Sequence, residues 1–169
     1  MLERVPLLER DLDAYRDIVG DESIERIRSL AEPLQGARVL HLNATAYGGG
    51  VAELLATLVP LMRSVGLKAD WQVISGSDEF FAVTKAVHNG LQGMDIPWTR
   101  EMQETYLDRV QINAAALEGE WDFVVMHDPQ LAAMLSFLED DAPGGSSATQ
   151  GSSKHWIWRC HIDLTDANQ

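Results

Sequence analysis

The stretch Arg38-Val-Leu-His-Leu-Asn-Ala-Thr-Ala-Tyr-Gly-Gly-Gly-Val-Ala-Glu-Leu-Leu55 constrains the fold more than any other part of the chain. Val39, Leu40 and Leu42 form a short apolar run, as in a central strand of a parallel sheet. Asn43 to Tyr47 are small or turn-prone. Gly48-Gly49-Gly50 has no Cβ to hold a ligand away from the backbone. Val51, Leu54, Leu55, Leu58, Leu61 and Val65 then recur at helical spacing. A strand, a glycine loop and a helix start in this order aim free N–H groups and a positive helix end at one spot, which suits phosphate or sugar oxygens. The same composition serves a connection without a ligand equally well.

The rest of the chain repeats the alternation. Leu7 to Val19 reads as a surface helix stopped by Gly20. Asp21 then caps a second helix carrying Ile24, Ile27, Leu30 and Leu34. Pro60 predicts a kink near Thr57 and Leu58. A second strand is expected over Ala69 to Ile74, then a helix capped by Asp78, then one opened by Thr99 that turns Met102, Tyr106, Val110 and Leu117 inward. Trp121 to Met126 is a third strand. Pro129, with Asp128 before it, marks a helix start whose inner face is Leu131, Met134, Leu135 and Leu138. Gly144 to Ser153 is rich in Gly and Ser and is expected to be a flexible loop. His155 to Cys160 returns to strand composition. Together these elements predict one α/β domain over residues 1–169. It is a Rossmann-like, doubly wound, mostly parallel sheet with helices on both faces, preceded by a helical arm over 1–36.

Composition narrows the partners. Hydrophobic residues make up 46% of the 169, enough for a packed core. Asp and Glu number 26 against 13 Lys and Arg, a formal charge of -13, which disfavours nucleic acid and anionic membranes as partners. The single cysteine, Cys160, permits no intrachain disulfide and fits a reducing cytoplasm. The charged opening does not read as a secretory leader, and no apolar run approaches the roughly 18 residues of a membrane span.

In doubly wound sheets ligands bind beyond the carboxyl ends of the strands. Three such ends carry ligand-capable residues: Asn43 to Gly50, His127-Asp128 and His161-Ile-Asp163. The first fails the dinucleotide fingerprint, because Glu53 stands where the third glycine belongs. No Gly-x-x-x-x-Gly-Lys occurs, so a P-loop is excluded. His127 and Asp128 fit a proton-transfer pair, sugar-hydroxyl ligands or metal ligands. They fit equally a helix cap beside a backbone-bonded histidine. His161 has the same two readings. His161 and Asp163 lack a partner motif with metal-ligand spacing, so no metal is expected. His41, inside the first strand, reads as a packed histidine. His88 and His155 read as surface or boundary residues. Glu79 leaves the second strand at the ligand end and is a pocket candidate.

His41 to Glu53, Glu79 to Lys85, His88 to Gly93, His127-Asp-Pro-Gln130 and Trp158 to Leu164, in this order, resemble the N-terminal half of the glycosyltransferring trehalose synthases. That family is one of retaining nucleotide-sugar glycosyltransferases built from two Rossmann-like domains, the GT-B architecture. The resemblance implies that Gly48, Gly49 and Gly50 face the donor diphosphate and the reacting sugar. It implies that Asp128 holds acceptor-glucose hydroxyls and that His161 reaches the donor glucose, these two being the catalytic candidates. His127, Glu79, Asn89, Arg159 and Asp163 are implied as further sugar-binding candidates. The implied reaction is glucosyl transfer from a nucleoside-diphosphate glucose to glucose, with retention and without a metal or other cofactor. The second, nucleotide-holding domain of the family has no counterpart in these 169 residues. The chain alone is therefore expected to be inactive and to self-associate through the face that domain covers.

Overall fold

The computed structural model describes residues 2–138 and 151–165. Its sheet has five strands: β1 (Glu3–Arg4), β2 (Arg38–Asn43), β3 (Lys68–Val73), β4 (Gly119–His127) and β5 (Gly151–Arg159), in the spatial order β1-β3-β2-β4-β5. β2 pairs in parallel with β3 on one side and β4 on the other, and β4 pairs in parallel with β5. Only the short β1 is antiparallel. Four helices join these strands: α1 (Arg16–Ala31), α2 (Gly50–Ser64), α3 (Asp78–Leu91) and α4 (Arg100–Ala115). The predicted Rossmann-like sheet is present.

Period-2 alternation divides β2 between two cores. Leu40 and Leu42 pack with Val124 and Met126 of β4, Phe80 of α3, and Val110 and Ala114 of α4. Val39 packs on the opposite face with Ala69, Trp71 and Val73 of β3 and with Ala52, Leu55 and Val59 of α2. His41 shares this second face and is buried among it. Helices thus cover both sides, and the chain reverses direction of winding between β2 and β4.

Several local expectations are corrected. Leu7 to Asp11 is not helical; a short 3-10 turn over Leu12–Tyr15 leads into α1. Gly20, with φ of 80°, breaks α1 where the stop was expected. Ile24 is buried, but Ile27 and Leu30 are exposed, because the arm meets the body over a narrower stripe than its apolar pattern implies. Pro60 lies within α2, a single helix from Gly50 to Ser64, and is buried. Ser77, not Asp78, caps α3, its hydroxyl accepting from the Phe80 amide. Of the expected Gly/Ser loop, 144–150 lies outside the described residues. Gly151 to Ser153 belong to β5, in register with Gly119 to Trp121.

The helix expected after β4 is replaced by two 3-10 turns, Pro129–Leu131 and Met134–Phe137. Asp128 takes a left-handed φ of 65° and its side chain caps nothing. Its Oδ1 instead accepts from the His161 amide at 2.7 Å. Drawn toward β5, the carboxylate leaves the first turn without the acceptor that starts an α-helix.

Candidate functional site

At the carboxyl end of the sheet the loops after β2, β4 and β5 enclose one cleft of about 610 Å³. Its lining includes Gly48, Gly49 and Gly50, Thr45, His88, Asp128, Gln130 and His161. It adjoins a second chamber of about 590 Å³, sharing with it Ala44, Thr45, His88 and Gln130.

The β2 loop is held from below. The Asn43 side chain accepts from Trp71 Nε1 at 2.7 Å and donates to the Thr45 carbonyl at 2.8 Å. Thr45 Oγ1 donates to the Tyr47 carbonyl and accepts from the Tyr47 amide. Gly48, at φ of 75°, makes the turn into α2. Gly49 is extended and precedes α2, with no side chain capping the helix. The first amides of α2 therefore open on the cleft, at the positive end of the helix. No atom lies within 4 Å of where a Cβ would stand at any of the three glycines. The missing side chains leave room on the cleft side and are not demanded by packing underneath.

The second wall is built at the β4–β5 junction. Asp128 donates its amide to the Arg159 carbonyl at 2.9 Å and accepts the Trp158 indole N–H on its own carbonyl at 2.9 Å. With Oδ1 on the His161 amide, Oδ2 accepts no hydrogen bond among the described residues, and Asp128 lines the cleft. Tyr106 steadies the following turn, donating to the Pro129 carbonyl and accepting from the Ala133 amide. Gln130 sits between the two chambers. Its Oε1 is buried without a hydrogen-bond partner among the described residues, an acceptor whose desolvation a ligand donor would relieve.

The third wall is α3. Phe81, Thr84, Lys85, His88 and Asn89 recur at three- and four-residue steps and line the second chamber as one helix face. Phe80 is fully buried beneath, while Phe81 is 37% exposed and fronts the chamber. His88, read from sequence as a boundary residue, lines both chambers. Thr45, Lys85 and Gln130 were not singled out either. The helical period of α3, polar on one side at Thr84, Lys85, His88 and Asn89, was the available signal.

Other expected residues lie elsewhere. His127 is fully buried behind the cleft. Its Nδ1 is 2.8 Å from His161 Nε2, and its Nε2 is 3.0 Å from His41 Nδ1. Burial lowers the pKa of His41 to about 4, with the Arg159 charge adding to the effect. Burial lowers that of His127 to about 3, with His41, His161 and Arg159 contributing. Both rings are neutral near pH 7. Arg159, Asp163 and Glu79 do not line the cleft. Asp163 is turned to Thr165, whose amide and hydroxyl lower its pKa. Among the described residues no group of three His, Cys, Asp or Glu side chains is placed to hold a metal ion. No described helix is long and apolar enough to cross a membrane.

A mostly parallel sheet with helices on both faces and a cleft at its switch point defines a Rossmann-like domain. The family is narrower. A family model described as "Trehalose synthase, N-terminal domain" matches residues 41–169, and the chain belongs to that family. It is 46% identical over 159 residues to the trehalose synthase of Thermococcus litoralis, covering 93% of this chain and 36% of that protein. It is 44% identical over 172 residues to the trehalose synthase of Rubrobacter xylanophilus, covering 100% of this chain and 39% of that protein. A trehalose phosphorylase of Pleurotus pulmonarius is 27% identical over 167 residues, 91% of this chain and 21% of that protein. The chain thus spans less than two fifths of the trehalose synthases it matches.

Proposed function

We propose that the chain is the acceptor-side domain of a retaining trehalose synthase that transfers glucose from a nucleoside-diphosphate glucose to glucose. The observation that carries this reading is the convergence of Gly48 to Gly50, Asp128 and His161 on a single cleft. The open amides at the start of α2 suit the leaving diphosphate, whose charge they and the helix dipole stabilise. The free oxygen of Asp128 accepts hydroxyls of the acceptor glucose. Gln130 Oε1, lacking a partner among the described residues, and Asn89, in the adjoining chamber, serve the same sugar. His161 reaches the donor glucose, with its carbonyl near the reacting carbon.

In this reading the 169-residue chain binds sugar but transfers little. Among the described residues Lys85 is the only lysine or arginine lining either chamber, and one cation holds a departing diphosphate poorly. Trehalose formation from UDP- or ADP-glucose and glucose is expected at background, and a rate above background would overturn this point. Calorimetric titration of the chain with glucose, trehalose and the two nucleotide sugars tests the site itself. Saturable binding that is lost in Asp128→Ala and in His161→Ala is expected. The absence of heat with every ligand, or binding indifferent to both substitutions, refutes the sugar site and leaves a non-catalytic scaffold.

A further inference from the structure

Behind His161 runs a row of side chains that the sugar site does not use directly. His161 Nε2 lies 2.8 Å from His127 Nδ1, His127 Nε2 lies 3.0 Å from His41 Nδ1, and His41 Nε2 lies 3.4 Å from the sulfur of Met62. The ring centroids are 5.1 and 5.3 Å apart, with planes within 27° of each other. With their nitrogens in hydrogen-bond range, rings so separated meet edge to edge in nearly one plane. That is the geometry of in-line N–H···N bonds. The row begins in the core, where His41 is 4% exposed and His127 is 0% exposed, and ends at the cleft.

Such a row has a direction. A neutral imidazole carries one N–H and one bare nitrogen, so each ring that donates at one end accepts at the other. The thioether of Met62 has no proton and only accepts. His41 Nε2 must therefore be the donor toward Met62, which leaves His41 Nδ1 bare. His127 Nε2 then carries the proton of the middle bond, and His161 Nε2 carries that of the outer one. The opposite order would set the lone pair of His41 against the lone pairs of sulfur, inside the core, with no proton between them.

We propose that Met62, His41 and His127 are positioning residues that fix His161 as its Nε2–H tautomer, so that its Nδ1 meets the ligand as a hydrogen-bond acceptor. The proposal rests on the reading that His161 touches the sugar. It deepens that reading by assigning the polarity of the contact: a hydroxyl donates to the ring. Burial supports it by keeping both inner rings neutral, since a protonated ring would donate at both ends and break the order.

The test is a long-range ¹H–¹⁵N spectrum of the histidines in the ¹⁵N-labelled chain at pH 7.5, without ligand. His41, His127 and His161 are each expected with a protonated Nε2 and a bare Nδ1; a protonated Nδ1 on His161 overturns the proposal. Met62→Leu removes the acceptor that sets the direction. The three rings are then expected to lose their uniform tautomer, and an unchanged spectrum would overturn the role of the sulfur. UDP-glucose added to the unsubstituted chain should move the His161 Nδ1 resonance. His127→Phe, which fills the space without a hydrogen bond, should weaken UDP-glucose binding about tenfold. Unchanged affinity in that variant would refute positioning by His127. Because the tautomer is read before any ligand is added, its failure is distinct from a failure of UDP-glucose to bind, which strikes the sugar reading instead.

Discussion

Acidification from pH 7.5 to pH 5 should weaken the folded chain through His41 and His127. Their folded pKa values, lowered by burial to about 4 and about 3, lie below the value of about 6.5 expected in the unfolded chain. Below about pH 6.5 the unfolded state takes up protons that the folded state refuses. The stability owed to neutral burial is thus complete above that value and drains away as pH falls toward the folded pKa values. At pH 5 an unfolded histidine is almost wholly protonated, and the linkage amounts to about 2 kcal/mol for each ring. The rings touch, so the pair together is worth about 2 to 4 kcal/mol and not a strict sum. Two other trends share the window. Net charge of -13 relaxes as pH nears the isoelectric value of about 4.6, which stabilises the fold on acidification. Asp13, Asp122 and Asp163 have pKa values lowered from 3.8, so their contributions are lost only at still lower pH.

A comparison between two proteins isolates the histidines from the background of charge. Urea unfolding followed by tryptophan fluorescence would be run between pH 7.5 and pH 5 on the chain and on His41→Gln. The substitution removes one titrating ring and keeps a polar side chain. The stability lost on acidification should be smaller in His41→Gln by about 2 kcal/mol, whatever the absolute stability of the variant. Ring C–H chemical shifts give an independent check, with neither His41 nor His127 titrating above about pH 5. Equal pH slopes in the two proteins, or a midpoint near 6.5 for either ring, would refute the reasoning.

Gly48→Ala and Gly49→Ala should separate fold from site. At Gly48 a side chain meets the left-handed φ of 75°, and thermal melting should show a loss of about 1 kcal/mol. At Gly49 the backbone is extended with nothing within 4 Å, so stability should hold while calorimetry shows weaker ligand binding. Asn43→Leu strands the buried Trp71 indole N–H and releases the Thr45 carbonyl; a loss of about 1 to 3 kcal/mol is expected in urea unfolding. Ile18, Ile27 and Leu30 are exposed along α1, and sedimentation should reveal concentration-dependent self-association that Ile27→Glu with Leu30→Glu abolishes.

Much of the fold was legible because it follows local periodicity. The apolar run at Val39 to Leu42, the glycines and the helical spacing beyond them gave β2, its loop and α2 within a residue or two. Thr99 was identified as the opening of α4, and its hydroxyl does cap that helix. The failures share a cause: the deciding partner is distant in sequence. β1 is two residues long and exists only by pairing with β3. Asp128 beside Pro129 has every local mark of a helix cap, yet its carboxylate is taken by an amide 33 residues away. His41 shows this most plainly. Read alone on its strand, it is a packed histidine, and it is indeed 4% exposed. Its partners are His127, 86 residues on, and Met62, 21 residues on, and only the parallel pairing of β2 with β4 under α2 brings them together. Strand periodicity places His41 and His127 on one face, but it carries no information on which nitrogen meets which. That detail arises from packing, and it sets the polarity of the outermost ring at the cleft.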